Sequence, residues 1–110
     1  MGIIFKSRKL ETLCNSYAAM QREYGARLAK VLRRRLDDLR AVPNLQIMRN
    51  LPGRCHELTG ARSGQLAVDL EHPKRLVFAP ANETLPVKNN GGLDWAGVTV
   101  IEIIEIVDYH

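Results

Sequence analysis

A small set of side chains in this 110-residue sequence could move protons or hold a phosphate. They are Arg54, His56 and Glu57 in mid-chain, Arg75 further on, and the terminal run Asp108-Tyr109-His110. In extended backbone Arg54 and His56 share one face and Glu57 takes the other, while Asp108 and His110 share a face at the chain's tip. If the segments carrying His56, Arg75 and His110 are neighbouring strands, these groups converge over one sheet face. Such a set suits metal-free cleavage of RNA. A base takes the proton of a ribose 2′-OH, an acid protonates the departing 5′ oxygen, and a cation steadies the charged phosphorane between them. Histidine suits either proton role because its ordinary pKa lies near neutrality. Arginine offers phosphate a planar fork, and tyrosine can stack on a splayed base or donate to phosphate. Each residue also has a plainer use: His56 bonded to a hairpin neighbour, Arg75 paired with Asp69 or Glu71, the last three residues as a polar tail. On spacing alone the plainer uses are favoured. No metal and no cofactor is expected, since His56, His72, His110 and Cys55 have none of the usual ligand spacings.

The elements that must position these groups are legible from pattern. Val98–Val107 is rich in β-branched residues and follows the turn sequence Asn89-Asn90-Gly91-Gly92, so it reads as a strand, apolar on both faces and therefore central to a sheet. Strict alternation puts Val98, Val100, Glu102, Ile104, Ile106 and Asp108 on one face, and Thr99, Ile101, Ile103, Glu105 and Val107 on the other. Three shorter strands are predicted at Arg54–Leu58, Gln65–Leu70 and Arg75–Ala79, the first two joined as a hairpin through Thr59–Gly64. A further short strand falls within Gly2–Lys6. Residues 80–97 are long for a connection, which marks an ordered insertion or a flexible lobe.

Two helical regions lie between the first strand and the rest. Ser7 is placed to cap a helix bearing Leu10, Leu13, Cys14 and Tyr17 at helical spacing, with Ala18–Glu23 compatible with its continuation. From Tyr24 to Leu39 the stripe Tyr24, Leu28, Val31, Leu32, Leu36 and Leu39 is strongly amphipathic. The run Arg33-Arg34-Arg35 invites a nucleic-acid reading, but a solvated outer face partly neutralised by Asp37 and Asp38 is favoured. Pro43 ends this helix, and Asn44–Asn50 suits one more helical turn with Leu45 and Met48 turned inward. The order predicts one α+β domain over residues 1–110, two layers deep, with two N-terminal helices packed on a mainly antiparallel sheet.

Composition narrows the class. No stretch approaches the length of a membrane span, and the opening Met-Gly-Ile-Ile-Phe-Lys is unlike a signal peptide, so the cytoplasm is expected and no membrane partner. Cys14 and Cys55 are read as core thiols in a reducing compartment. The net charge of +4, with eleven Arg against five Lys, points weakly to an anionic partner.

At these same residues the chain resembles a known family. Pro52-Gly-Arg-Cys-His-Glu-Leu-Thr-Gly60, Gly64-Gln-Leu-Ala-Val-Asp-Leu70, Arg75-Leu-Val-Phe78 and Glu105-Ile-Val-Asp-Tyr-His110 look like the HigB branch of the RelE/ParE toxin superfamily. Phe5-Lys-Ser-Arg-Lys-Leu10 and Tyr24-Gly-Ala-Arg-Leu-Ala29 fit the same pattern, and the segment around Pro86–Asp94 resembles the plasmid-maintenance killer variants. The resemblance implies a toxin of a type II toxin–antitoxin pair that cuts mRNA in the ribosomal A site. It also implies a helix-turn-helix, HigA-like antitoxin, through which the pair would meet operator DNA. By position it implies His56, Arg75, Asp108, Tyr109 and His110 as the catalytic set. Family members often carry lysine where this chain has Thr59, so Arg54 or Arg62 would have to supply that contact with RNA. The alternative is a non-catalytic binder, either a ParE-like topoisomerase inhibitor or a degenerate toxin that only binds its antitoxin.

Overall fold

A computed structural model of the chain describes residues 1–108. The strand β1 (Gly2–Phe5) leads into three helices, α1 (Arg8–Cys14), α2 (Tyr17–Tyr24) and α3 (Ala26–Ala41). A 3₁₀ turn (Leu45–Asn50) follows, then β2 (His56–Glu57), a second 3₁₀ turn (Gly60–Arg62), β3 (Leu66–Asp69) and β4 (Lys74–Pro80). A third 3₁₀ turn (Trp95–Gly97) precedes β5 (Val100–Asp108). The expected α+β class holds, and the helical region after Ser7, whose continuity the sequence leaves open, is two helices. The hydroxyl of Ser7 caps α1 by accepting from the Leu10 amide, and that of Ser16 caps α2 by accepting from the Ala19 amide. Gly25, at φ 84°, turns the chain between α2 and α3 in a conformation a side chain would strain.

The five strands form one sheet in the order β1-β5-β4-β3-β2. β1 runs parallel to β5 and every other pair is antiparallel, so β5 is interior, as its composition predicts. The helices cover one face. Leu28, Leu32, Leu36 and Leu39 of α3 pack there with Leu66, Val68, Leu76, Phe78, Ile101 and Ile103, and with Leu45 and Met48 beneath. Among the described residues no helix is long and apolar enough to cross a membrane.

Strict alternation fails in β5. Phe78 pairs with Ile103 but Val77 pairs with Glu105, so Ile104 is an extra residue, a β-bulge. Beyond it the faces exchange. Ile106, opposite Leu76, joins Ile103 on the helix side, whereas Glu105, opposite Val77, and Val107, opposite Arg75, take the other side. That second face has its own small apolar cluster, Leu58, Ala67 and Val77, with Ile104 and Val107 packed against it.

Candidate active site

The face turned away from the helices carries the polar groups in two rows. The register His56↔Ala67, Ala67↔Val77 and Val77↔Glu105 aligns a histidine, two small apolar residues and a carboxylate across β2, β3, β4 and β5. One step along the strands, Asp69 pairs with Arg75 and Arg75 with Val107. Arg54, two residues before His56, completes this second row: its Nε donates to Asp69 Oδ2 at 3.0 Å, and Arg75 Nε lies 3.2 Å from Asp69 Oδ1. One carboxylate is thus held between two guanidiniums, a repeat of two residues, about 7 Å, from the histidine row. The alternation that put Arg54 and His56 on one face is met, although only His56–Glu57 of the predicted Arg54–Leu58 strand is laddered. The reason is local: Gly53 and Arg54 both adopt positive φ, 113° and 50°, which breaks the regular ladder before the histidine although the Gly53 carbonyl still accepts from the Asp69 amide.

His56 is half-buried, and its Nδ1 lies 2.7 Å from the carbonyl oxygen of Arg54. A carbonyl only accepts, so Nδ1 carries the hydrogen and donates it. In the neutral ring Nε2 then holds the lone pair, the atom a proton-transfer role needs. The ring is bonded to a neighbour and suited to chemistry at once.

Arg62, from the 3₁₀ turn after β2, reaches across the apolar floor to the far end of the histidine row. Its Nη2 donates to Glu105 Oε1 and its Nη1 to Gln65 Oε1 at 3.1 Å. Thr59 precedes that turn with its side chain exposed and making no cap. The guanidiniums of Arg54 and Arg62 therefore both stand at this face, on either side of the small residues Ala67 and Val77.

Asp108 accepts from Lys74 Nζ at 2.6 Å and pairs with Lys74 in the ladder. This register puts both on the helix side of the sheet's end, one residue on from the Arg75–Val107 pair, because of the bulge at Ile104. Asp108 is therefore beside Arg75 along the sheet but not on the face that bears it. Tyr109 and His110, the other terminal candidates, lie outside the described residues. A cleft of about 170 Å³, lined by Arg54, Asp69, His72, Lys74 and Arg75, opens at this end of the strands. Among the described residues no group of three His, Cys, Asp or Glu is placed to hold a metal ion.

Three supporting contacts were not legible in the sequence. Arg35 of α3 donates from Nε to the carbonyl of Asp69 at 2.9 Å. Trp95 Nε1 donates to Glu57 Oε2 at 2.9 Å, and Glu105 receives Arg62. Both cysteines are free thiols; Cys14 is buried and Cys55 partly so, and burial lifts them from 9.0 to about 11 and about 12.

The five-stranded sheet with helices on one face matches a toxin fold of the YoeB/RelE type. The whole chain is similar to a YoeB/ParE toxin from Agrobacterium tumefaciens, with a TM-score of 0.60, 12% identity and 100% of each chain covered. It is also similar to the YoeB–YefM complex from Staphylococcus aureus, with a TM-score of 0.54 and 17% identity, covering 100% of this chain and 97% of that one. At such identities the likeness is one of fold. By sequence, neither a family model nor a curated protein matches the chain.

Proposed function

We propose that the chain is the toxin of a type II toxin–antitoxin pair, a HigB-like endoribonuclease that cuts mRNA on the ribosome by acid–base chemistry. The observation that carries this reading is the placement of His56, its Nδ1 committed to the Arg54 carbonyl, beside the row Arg54–Asp69–Arg75. His56 Nε2 takes the proton of a 2′-OH, O2′ bonds to phosphorus and the P–O5′ bond breaks. The departing O5′ takes a proton from the terminal set, where the resemblance places Tyr109 and His110 beside Asp108. Asp108 itself is paired with Lys74 and turned from the arginine row, so the donor is sought in the two residues after it. The products are a 2′,3′-cyclic phosphate and a 5′-hydroxyl. Arg54, Arg62 and Arg75 take up the phosphorane's charge, and Arg54 and Arg62 supply contacts that a lysine at the position of Thr59 would otherwise make. A fold neighbour solved as a toxin complex with YefM supports a protein antitoxin as partner. The motif likeness points to a helix-turn-helix, HigA-like antitoxin, contact with operator DNA through it, and action in the cytoplasm.

The test is induced expression of the chain and of His56→Ala, with growth followed and the 5′ ends of cellular messages mapped. The native chain should arrest growth and cut translated messages. His56→Ala, checked for folding by circular dichroism, should lose roughly two to four orders of magnitude in cleavage rate, the usual worth of a positioned acid or base. Equal toxicity of the variant would remove the mechanism. Intact messages with tight antitoxin binding would identify a degenerate toxin, and a DNA-damage response would identify a topoisomerase inhibitor.

A further inference from the structure

The strand that delivers His56 is the least supported in the sheet. β2 is two residues long, lies at an edge and is laddered only to β3. Two ladder pairs are a weak restraint on a residue that must be held in a productive geometry. The chain supplies a tether from elsewhere. Residues 81–99 close on themselves: the Asn82 side-chain amide donates to the Gly97 carbonyl at 3.0 Å, and its oxygen accepts from the Thr99 amide at 3.2 Å. Val87 bridges Leu93, and the Asp94 amide donates to the Pro86 carbonyl at 3.0 Å. Gly97 is needed where the loop closes, because a Cβ there would sit 2.7 Å from Pro86 Cβ.

This closed loop buries Trp95 to 4% exposure. Arg49 covers the indole with its guanidinium 3.7 Å from the ring centroid. The indole's one N–H is spent on Glu57, the residue next to His56, whose side chain alternates to the opposite side of β2. A charged acceptor makes this a strong hydrogen bond for its size.

We infer that Trp95 is a positioning residue: through Glu57 the closed loop of residues 81–99 fixes the edge strand and so the ring of His56. The inference rests on His56 as the proton-transfer residue of the proposed function. Trp95→Phe keeps an aromatic ring, though a smaller one, and removes the donor. Glu57→Ala removes the acceptor at an exposed side chain, so it carries the test if Trp95→Phe does not fold. Glu57→Gln keeps an oxygen that can accept. The readout is the ¹⁵N-edited NMR signal of the His56 imidazole, with exchange of its Nδ1 proton, alongside kcat and KM for RNA cleavage. Trp95→Phe and Glu57→Ala should each speed Nδ1 proton exchange and lower kcat by about tenfold at unchanged KM, while Glu57→Gln stays within about threefold of the native chain. Imidazole signals unchanged in both disruptive variants, or Glu57→Gln as impaired as Glu57→Ala, would overturn the tether. The NMR measurement needs no RNA. A disturbed ring in a chain that cuts no message would leave the tether standing and the nuclease rejected.

Discussion

Arg35 reaches from the middle of α3 to the main-chain carbonyl of Asp69, with 2.9 Å between Nε and oxygen. On its way it passes Gly53, where a Cβ would lie 2.7 Å from Nε and 3.0 Å from Cδ. The Asp69 amide in turn donates to the Gly53 carbonyl at 2.7 Å. A helix, the turn before β2 and the end of β3 are thus locked at one point behind the sheet. In front of it the Asp69 carboxylate holds Arg54 and Arg75. The helix layer therefore sets the position of the cationic row without contributing a side chain to it.

Gly53→Ala should destabilise the fold through two separable effects. Its φ of 113° strains any side chain, and the added methyl meets Arg35. Gly64→Ala is the control, since Gly64 also has positive φ, 91°, but nothing lies within 4 Å of its Cβ position. Urea unfolding should show a loss of about 1 kcal/mol for Gly64→Ala and roughly 2–4 kcal/mol for Gly53→Ala. Equal losses would mean that Arg35 moves aside at little cost.

The two thiols make stability fall in alkali. Burial raises Cys14 from 9.0 to about 11 and Cys55 to about 12. Above pH 9 the unfolded chain releases both protons while the native chain keeps them, so proton binding favours the native state less and less as pH climbs. The stability present below pH 9 should decline from pH 9 up to about 11 for Cys14 and about 12 for Cys55, read as a falling urea midpoint. Cys14→Ala should flatten part of that decline. The native thiols should also react slowly with iodoacetamide at pH 8, because the thiolate is the reactive form.

The main helix and the strands in their order along the chain were legible because they depend on short-range periodicity; the order of strands within the sheet was not. The leucine stripe of α3 and the cap at Ser7 show this, whereas the second cap at Ser16, inside a continuous helical pattern, did not stand out. The shared face of Arg54 and His56, two residues apart, was legible too. The far end of β5 was not legible. A single extra residue at Ile104 reverses every later side chain, and nothing in a run of isoleucines and valines marks which one will bulge. This is why Asp108 was expected on the face of Ile104 and lies by register on that of Leu76 and Ile106. The supports behind the site escaped for another reason. Arg35 bonds a main-chain carbonyl 34 residues away and Trp95 a carboxylate 38 away. A carbonyl acceptor has no sequence signature, and Arg35 looked like one more member of a basic run.

Arg75→Lys should separate charge from shape. Arg75 is largely covered and pairs with the Asp69 carboxylate through Nε. Lysine keeps the charge but replaces the fork with a flexible point donor. If the row meets a phosphorane, Arg75→Lys should lower kcat for RNA cleavage by about tenfold, and Arg75→Ala by a further order of magnitude, the range seen when a donor to a developing oxyanion is removed. Single-turnover cleavage of an mRNA on programmed ribosomes measures both. Full activity of Arg75→Ala would take Arg75 out of the mechanism.

Asp69→Asn isolates what the carboxylate does between its two arginines. With one charge of the row removed and the side chain's shape kept, Arg54 and Arg75 face a ligand with more net positive charge. A single-stranded RNA releases cations for each phosphate the protein neutralises, so the slope of log affinity against log salt should steepen by up to about 0.7. Affinity at low salt should rise severalfold, a gain of about 1 kcal/mol or less for a solvent-facing charge. Folding stability should fall, because Asn holds two guanidiniums less well than a carboxylate. Fluorescence anisotropy with a short RNA across a salt series reads the slope, and urea unfolding reads the cost. A slope that stays flat would place RNA elsewhere on the chain; a weaker, flatter slope would make Asp69 an organiser of the two arginines whose loss scatters them.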